Sequence, residues 1–394
     1  MVARRSVCVL GSTGSVGRST LDVIAAHGGA ETWDVQALTG GSNAALLAEQ
    51  ARAVGAKRAV IQNEGALPTL REALAGTGIE AAAGDAALLE AAGCGADVCL
   101  SAIAGAAGLA PTLAAIRAGS TLALANKESM VCAGGLVRQA VEKAGTRILP
   151  VDSEHSAIFQ VLEERHSEAI DRIVLTASGG PFRAFSLEQM RTVTPEDAIA
   201  HPQWSMGVAI SLDSATMFNK GLELIEADQL FPVASHKIEI LVHPQSIIHS
   251  MVGYLDGSIL AQLGTPDMRT PIAYALGWPK RVDAPVERLD FVALSRLDFE
   301  APDEARFPAL RIAREAMEAG GLAPCAMNGA KEVAAEAFLA RRIPFLEIAV
   351  VVECVMETFD HGPAAASLDD VIAADQGART LAREVMQRRA RQFA

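Results

Sequence analysis

The sequence predicts an α/β protein: an N-terminal doubly wound, Rossmann-like domain, a central α/β domain and a C-terminal helical domain. Three observations carry this expectation. Over the first 150 residues, short apolar runs alternate with Ala-, Leu- and Glu-rich helical stretches. A turn with evenly spaced glycines joins the first run to the first helix. From about residue 307 onward only helical periodicity is left.

The strand-like runs of the first region are Val7–Leu10, Val35–Leu38, Ala59–Ile61, Val98–Ile103, Thr121–Ala125 and Arg147–Val151. A helical stretch between successive runs implies parallel strands, because a crossover must return the chain to the same edge. Val98 to Ile116 carries no charge for nearly the length of a membrane span. Gly105, Gly108 and Pro111 interrupt it, so a buried strand, a loop and a helix start are expected. A second α/β region begins near Asp152. It holds a strand at Ile173–Thr176, a long loop from Ser178 to Met206, and a helix starting near Ser214. Strands follow at Ile238–Val242, Ile247–Val252 and Ser258–Gln262. From Trp278 to about Phe307 the chain is rich in Pro, Asp and Arg and reads as a linker. Helices are expected at Ala309–Ala319, Gly329–Ala340, Phe345–Phe359 and Ala378–Arg391, with a capping box at Ser367-Leu-Asp-Asp370. The expected boundaries are 1–151, 152–278, a linker over 279–306, and 307–394.

Bulk properties narrow the function classes. The net charge is −13, with 34 basic against 47 acidic residues and no basic tract, which argues against a nucleic-acid partner. An anionic ligand must then be held by a local pocket. The six cysteines are scattered and expected to be free thiols in a reducing compartment. Met1 runs directly into the first strand, so the expectation is a cytoplasmic protein with no leader and no membrane contact.

Gly11-Ser-Thr-Gly14-Ser-Val-Gly17 follows the first strand and opens a helix. Glycines let the backbone approach a pyrophosphate, and the helix start offers unpaired N–H groups to it. A tight ligand-free turn has the same spacing. The second strand ends in Gly41-Ser42-Asn43, with no acid to accept from a ribose 2′-hydroxyl. NADP is therefore favoured over NAD, although no Arg or Lys stands there either.

Asp152-Ser153-Glu154 follows the last strand of the first region. Read as an extended segment, it points both carboxylates the same way, and hard oxygen donors suit Mg²⁺ or Mn²⁺. A solvated acidic pair reads the same. In Asp213 to Glu226, Asp213 or Ser214 is expected to cap a helix on which Asn219, Lys220 and Glu223 share a face. That face offers what a phosphate beside a metal requires; the alternative is an exposed Lys–Glu pair on an ordinary helix. Thr176-Ala-Ser-Gly-Gly-Pro181 is placed to form an anion nest. Asn126-Lys127-Glu128 ends the fifth expected strand, on the face where a nicotinamide would lie.

These segments, in this order, resemble the 1-deoxy-D-xylulose 5-phosphate reductoisomerase family. The likeness also rests on His201-Pro-Gln-Trp-Ser-Met-Gly207, His243-Pro-Gln-Ser-Ile-Ile-His-Ser-Met251 and Leu263-Gly-Thr-Pro-Asp-Met-Arg-Thr-Pro271, and runs from about residue 6 to 360. The resemblance implies reduction and isomerisation of 1-deoxy-D-xylulose 5-phosphate to 2-C-methyl-D-erythritol 4-phosphate, in non-mevalonate isoprenoid precursor synthesis. It implies NADPH, one Mn²⁺ or Mg²⁺ per site, and a homodimer. It marks Asp152, Glu154 and Glu223 as metal ligands, with Lys127 and Glu154 as catalytic groups. Ser178, Ser214, Asn219 and Lys220 resemble phosphate and hydroxyl binders, and Lys127 and Ser153 contacts to the reacting oxygens. His201, Trp204 and Met206 resemble a lid. Thr13, Gly14, Ser15 and Val16 resemble dinucleotide contacts, Gly41, Ser42 and Asn43 lie near the 2′ position, and Asn126 and Glu128 belong to the cofactor set. Two departures stand out: Ser42 replaces a commonly basic residue, and Val208-Ala209 lacks the basic charge common after Gly207.

Two rival readings fit the sequence less well. A semialdehyde-type dehydrogenase needs a reactive cysteine, but Cys325 and Cys354 lie in helical stretches without a histidine in their motif. A nucleotide sensor without chemistry has no use for Asp152, Glu154 and Glu223 together.

Overall fold

The structure is a computed structural model that describes residues 4–200 and 207–393. The chain forms two compact units. The first takes in the chain up to Ser129, then Val137–Phe159 and Asp267–Arg288. The second comprises Met130–Leu136, Gln160–Pro266 and the chain from Leu289 onward.

The first unit is built on a parallel sheet of seven strands: β1 (Arg5–Leu10), β2 (Trp33–Gly40), β3 (Arg58–Ile61), β4 (Glu80–Ala83), β5 (Val98–Ser101), β6 (Thr121–Leu124) and β7 (Ile148–Pro150). Their order is β4-β3-β2-β1-β5-β6-β7. Sequence reading anticipated six of these. It missed β4, whose Glu-Ala-Ala-Ala run lacks the branched and aromatic residues that favour strands. Asn126-Lys127-Glu128 therefore follows the sixth strand, not the fifth. Val7–Leu10 and Val98–Leu100 are fully buried, as expected of parallel strands covered on both faces. The core adds Ile24, Leu38, Leu47 and Ile61, and also Ile272 and Leu276 from a helix at Arg269–Gly277. That late segment is pinned to the first strand: the Arg5 guanidinium donates to the carbonyls of Leu276 at 2.5 Å and Trp278 at 2.9 Å. The order reverses between β1 and β5, which opens a crevice at their C-terminal ends.

The second unit holds a four-stranded sheet of β8 (Ile170–Ala177), β9 (Ile238–Val242), β10 (Ile248–Tyr254) and β11 (Ile259–Leu263), ordered β11-β10-β8-β9. β8 and β9 run parallel, and β10 runs antiparallel to β8 and β11. The helical region contains Ala309–Ala319, Ala323–Leu339, Glu347–Thr358 and Leu368–Phe393. The first matches its sequence expectation, set by a strong apolar stripe ending at Gly320. The last starts at the expected capping box: Asp370 N–H donates to Ser367 Oγ, and Ser367 N–H to the Asp370 carboxylate. Within the stretch read as a linker lies a short helix, Phe291–Leu294, capped by Asp290. No helix among the described residues is long and apolar enough to cross a membrane.

Candidate active site

In the first unit the nucleotide loop is a backbone construction. Gly11 has φ +85°, and a Cβ there would sit 2.7 Å from the Ala102 carbonyl oxygen at the end of β5. A Cβ on Gly17 would lie 2.3 Å from the Gly11 oxygen, so the helix Ser15–Ala26 can close onto the loop only with glycine there. Gly14 caps this helix without a side-chain bond, leaving its first N–H groups to a ligand. Thr13 packs against Gly40 at the end of β2. Gly41, Ser42 and Asn43 are exposed. The Asn43 Oδ1 accepts from Leu46 N–H at 3.1 Å and caps the helix Ala44–Val54.

Asn126 and Glu128 brace the loop after β5. Asn126 Nδ2 donates to the carbonyls of Ile103 (2.5 Å) and Gly105 (3.0 Å), and Glu128 accepts from Gly105 N–H (3.0 Å). Between them, the Lys127 ammonium pairs with the Asp152 carboxylate at 2.5 Å. Asp152 does not continue an extended segment. A helix, Ser153–Val161, begins immediately after it, and the Asp152 carbonyl accepts from Ser156 N–H at 2.8 Å. This corrects the expected reason for convergence: Asp152 immediately precedes a helix and Glu154 lies in its first turn. Their hard carboxylates are joined there by the Ser153 hydroxyl, which donates to Glu154 at 2.5 Å. Burial alone would raise the Asp152 pKa. The Lys127 charge and the His155 ring, 3.7 Å away, overcome that and hold the carboxyl well below the usual range. His155 is fully buried. Sequence reasoning gave it no role; the signal was its i+3 spacing from Asp152 on a helix start.

In the second unit, β8 runs into Ser178-Gly179-Gly180, where both glycines have positive φ. The Ser178 hydroxyl accepts from Gly180 N–H at 3.2 Å. A Cβ on Gly180 would stand 2.6 Å from the Ser214 carbonyl oxygen, so this loop lies directly against the helix Val208–Thr216. That helix begins six residues before Ser214. Neither Asp213 nor Ser214 is a helix cap, which overturns that expectation: both sit in its last turns. The helix stops at Met217, forced to φ +66°, and a new helix, Phe218–Leu230, carries Asn219, Lys220 and Glu223. Lys220 and Glu223 are 3% and 0% exposed, so the exposed-pair alternative fails. Both Asn219 Nδ2 and Lys220 Nζ donate to the Glu223 carboxylate. One charge of each sign, nearly dry and held by hydrogen bonds, is costly to bury.

Gly221 fixes this helix from behind: a Cβ there would lie 2.7 Å from the Cβ of Ala313 on the C-terminal bundle. The neighbouring helix is tied differently. Asp213 accepts from the Lys331 ammonium at 2.6 Å, across from the helix Ala323–Leu339. Sequence reasoning missed Lys331, which in one dimension is one lysine in an Ala-rich helix. Phe182, just past the glycine loop, packs edge-on against Phe345 at 5.0 Å. Cys325 is buried with its thiol toward the Val371 carbonyl, unlike a reactive nucleophile. None of the six cysteines forms a disulfide. His201, Trp204 and Met206 lie outside the described residues.

Family signatures for 1-deoxy-D-xylulose 5-phosphate reductoisomerase match residues 7–134, those for its C-terminal domain match 148–231, and those for the DXP reductoisomerase C-terminal domain match 263–381. The chain is 59% identical over 385 residues to the 1-deoxy-D-xylulose 5-phosphate reductoisomerase of Sinorhizobium fredii, covering 98% of each. It is 56% identical over 382 residues to that of Agrobacterium fabrum, covering 97% of this chain and 96% of the relative. Among solved structures, the reductoisomerase of Zymomonas mobilis in complex with NADPH superposes with a TM-score of 0.92 at 55% identity, covering 98% of this chain and 99% of that one. A DOX-P reductoisomerase in complex with NADPH, fosmidomycin and magnesium gives 0.92 at 42% identity, covering 97% and 98%.

Proposed function

Because the chain belongs to the 1-deoxy-D-xylulose 5-phosphate reductoisomerase family, we propose that it converts 1-deoxy-D-xylulose 5-phosphate to 2-C-methyl-D-erythritol 4-phosphate with NADPH and a divalent metal. The observation that carries the reading is the Asn219–Lys220–Glu223 constellation, in which a buried ammonium and a buried carboxylate meet beside an amide. The place of the reaction is non-mevalonate isoprenoid precursor synthesis.

Asp152, Glu154 and Glu223 supply the metal ligands in this proposal. Their donor chemistry fits: all three are hard carboxylates, and Asp152 is held ionised far below neutral pH. Mg²⁺ and Mn²⁺ both suit such donors. When bound, the metal acidifies the substrate hydroxyl and polarises the carbonyl, and NADPH supplies the hydride. The chain's own groups do the rest. Lys220, Asn219, Ser178 and Ser214 take the phosphate, and its binding energy fixes the carbon skeleton for breaking and re-forming a C–C bond. Lys127 donates to negative charge developing on oxygen, with Ser153 beside it. Thr13 to Val16 receive the pyrophosphate, and Gly41 to Asn43 the ribose 2′-phosphate.

The finer expectations belong to the same proposal: a cytoplasmic homodimer with the functional division 1–151, 152–278, 279–306 and 307–394. The strand β11 supports the dimer, since it lies at the edge of its sheet among the described residues and carries exposed Ile259 and Leu260. The decisive experiment incubates the protein with 1-deoxy-D-xylulose 5-phosphate, NADPH and Mn²⁺ and follows absorbance of the reduced cofactor. Metal-dependent oxidation with formation of the methylerythritol phosphate is expected. Unchanged absorbance in saturating metal would overturn the proposal.

A further inference from the structure

The Asp213–Lys331 pair sits outside every residue assigned above to metal, phosphate or cofactor. Both partners are buried, at 8% and 4% exposure, and their charged atoms are 2.6 Å apart. Asp213 immediately precedes Ser214 in the helix Val208–Thr216, so its carboxylate stands within about 10 Å of anything the Ser214 hydroxyl holds. A buried carboxylate at that range from a phosphate dianion repels it with little screening. Lys331 is also set on a braced support. Asn328, one turn earlier, donates to Glu332 at 3.0 Å, and Glu332 pairs with Arg379 on the last helix. Arg379 in turn donates to Asp375 at 2.7 Å. The lysine is thus held where Asp213 needs it, on a region far along the chain from the phosphate loop.

We infer that Lys331 is a positioning residue for substrate binding: its ammonium cancels the Asp213 carboxylate, which would otherwise repel the phosphate held at Ser214. The inference rests on the phosphate role proposed for Ser214 and Lys220. It makes the C-terminal helices part of the binding machinery without any contact to substrate.

The test compares wild type with Lys331→Met, Lys331→Arg and the double variant Lys331→Met/Asp213→Asn in the full-length protein. Steady-state KM and kcat for 1-deoxy-D-xylulose 5-phosphate are read beside KM for NADPH and the thermal midpoint. Lys331→Met should raise the sugar-phosphate KM about tenfold or more while the NADPH KM stays put. Lys331→Arg keeps the charge and should stay within about threefold. The double variant leaves no charge unpaired and should recover most of the lost affinity. A Lys331→Met KM within twofold of wild type overturns the inference. So does a double variant as impaired as the single one, which marks the pair as structural only. Should Lys331→Met fail to fold, Lys331→Gln, which removes the charge and keeps a polar amide, is read against the same KM thresholds. Titration with inorganic phosphate, followed by protection against thermal unfolding, separates the two levels of the proposal. Wild type that binds phosphate more tightly than Lys331→Met but turns over no sugar phosphate leaves this inference standing and defeats the proposed function. Equal phosphate binding by both defeats the inference.

Discussion

The glycine loop and the helices around Lys220, the two anion sites of the proposed function, would solve one problem, holding an anionic group, by opposite means. Gly11 to Gly17 offers backbone N–H groups and a helix start, with no charged side chain in the motif. Asn219 to Glu223 offers charged side chains sealed from water. A backbone site depends on how closely main chains approach, so its weak points are the glycines. A side-chain site depends on charge balance in a poorly screened interior, so its weak points are single charges.

Glu223→Gln should break the second region most severely. It withdraws a proposed metal ligand and removes the carboxylate charge that pairs with the buried Lys220. Activity is expected to fall by at least about a hundredfold. NADPH binding, followed by fluorescence titration, should hardly move; near-normal turnover in saturating metal would reject the ligand assignment. Next in size, Lys220→Ala should raise the sugar-phosphate KM by roughly tenfold to a hundredfold, the worth of a charge-assisted contact of about 1.5–3 kcal/mol. Metal affinity without substrate should not weaken, because removing a cation cannot repel another. A KM within about twofold of wild type would reduce Lys220 to a structural partner of Glu223. Gly17→Ala attacks the first region instead. Its new Cβ meets backbone at 2.3–2.4 Å, so the helix start must shift. The NADPH dissociation constant should rise about tenfold, with a stability loss of about 1–3 kcal/mol. An unchanged constant would mean that the loop does not depend on this approach. The smallest effect sharpens the contrast: Ser42→Arg adds a charged side chain to the exposed loop beside Asn43. It should tighten NADPH by a few-fold and leave NADH unchanged, within the about 0.2–1 kcal/mol of an exposed ion pair. Wild type should already prefer NADPH, by a modest ratio of kcat/KM.

The same contrast explains what could be read in one dimension. Gly11, Gly14 and Gly17 announce their loop because backbone sites write themselves as spacing. Val7–Leu10 and Ala309–Ala319 were readable because burial follows a period. Glu80–Ala83 was not, since its strand is held by edge pairing with β3 rather than by residue preference. The start at Val208 was hidden because Gly207 caps that helix without a side-chain bond. The mistaken cap at Asp213 or Ser214 followed from the N-cap preference of those residue types, which here sit in the last turns of a helix already begun. The true partner of Asp213, Lys331, lies 118 residues away, and no local pattern signals a pairing at that range. His155 was passed over for a related reason: burial, which gives it influence over Asp152, is a property of the folded unit.

The return of Asp267–Arg288 to the first unit has a consequence for how the protein is made. Ile272 and Leu276 complete that unit's core, and two carbonyls from this segment occupy the Arg5 guanidinium. A nascent chain halted near residue 160 has all seven strands of the nucleotide sheet but lacks this closing piece. Translation therefore runs through β8 to β11 before the first unit can be finished, and both units mature nearly together instead of one after the other. Until the ribosome has passed Arg288, the apolar face awaiting that helix is surface for a chaperone to cover.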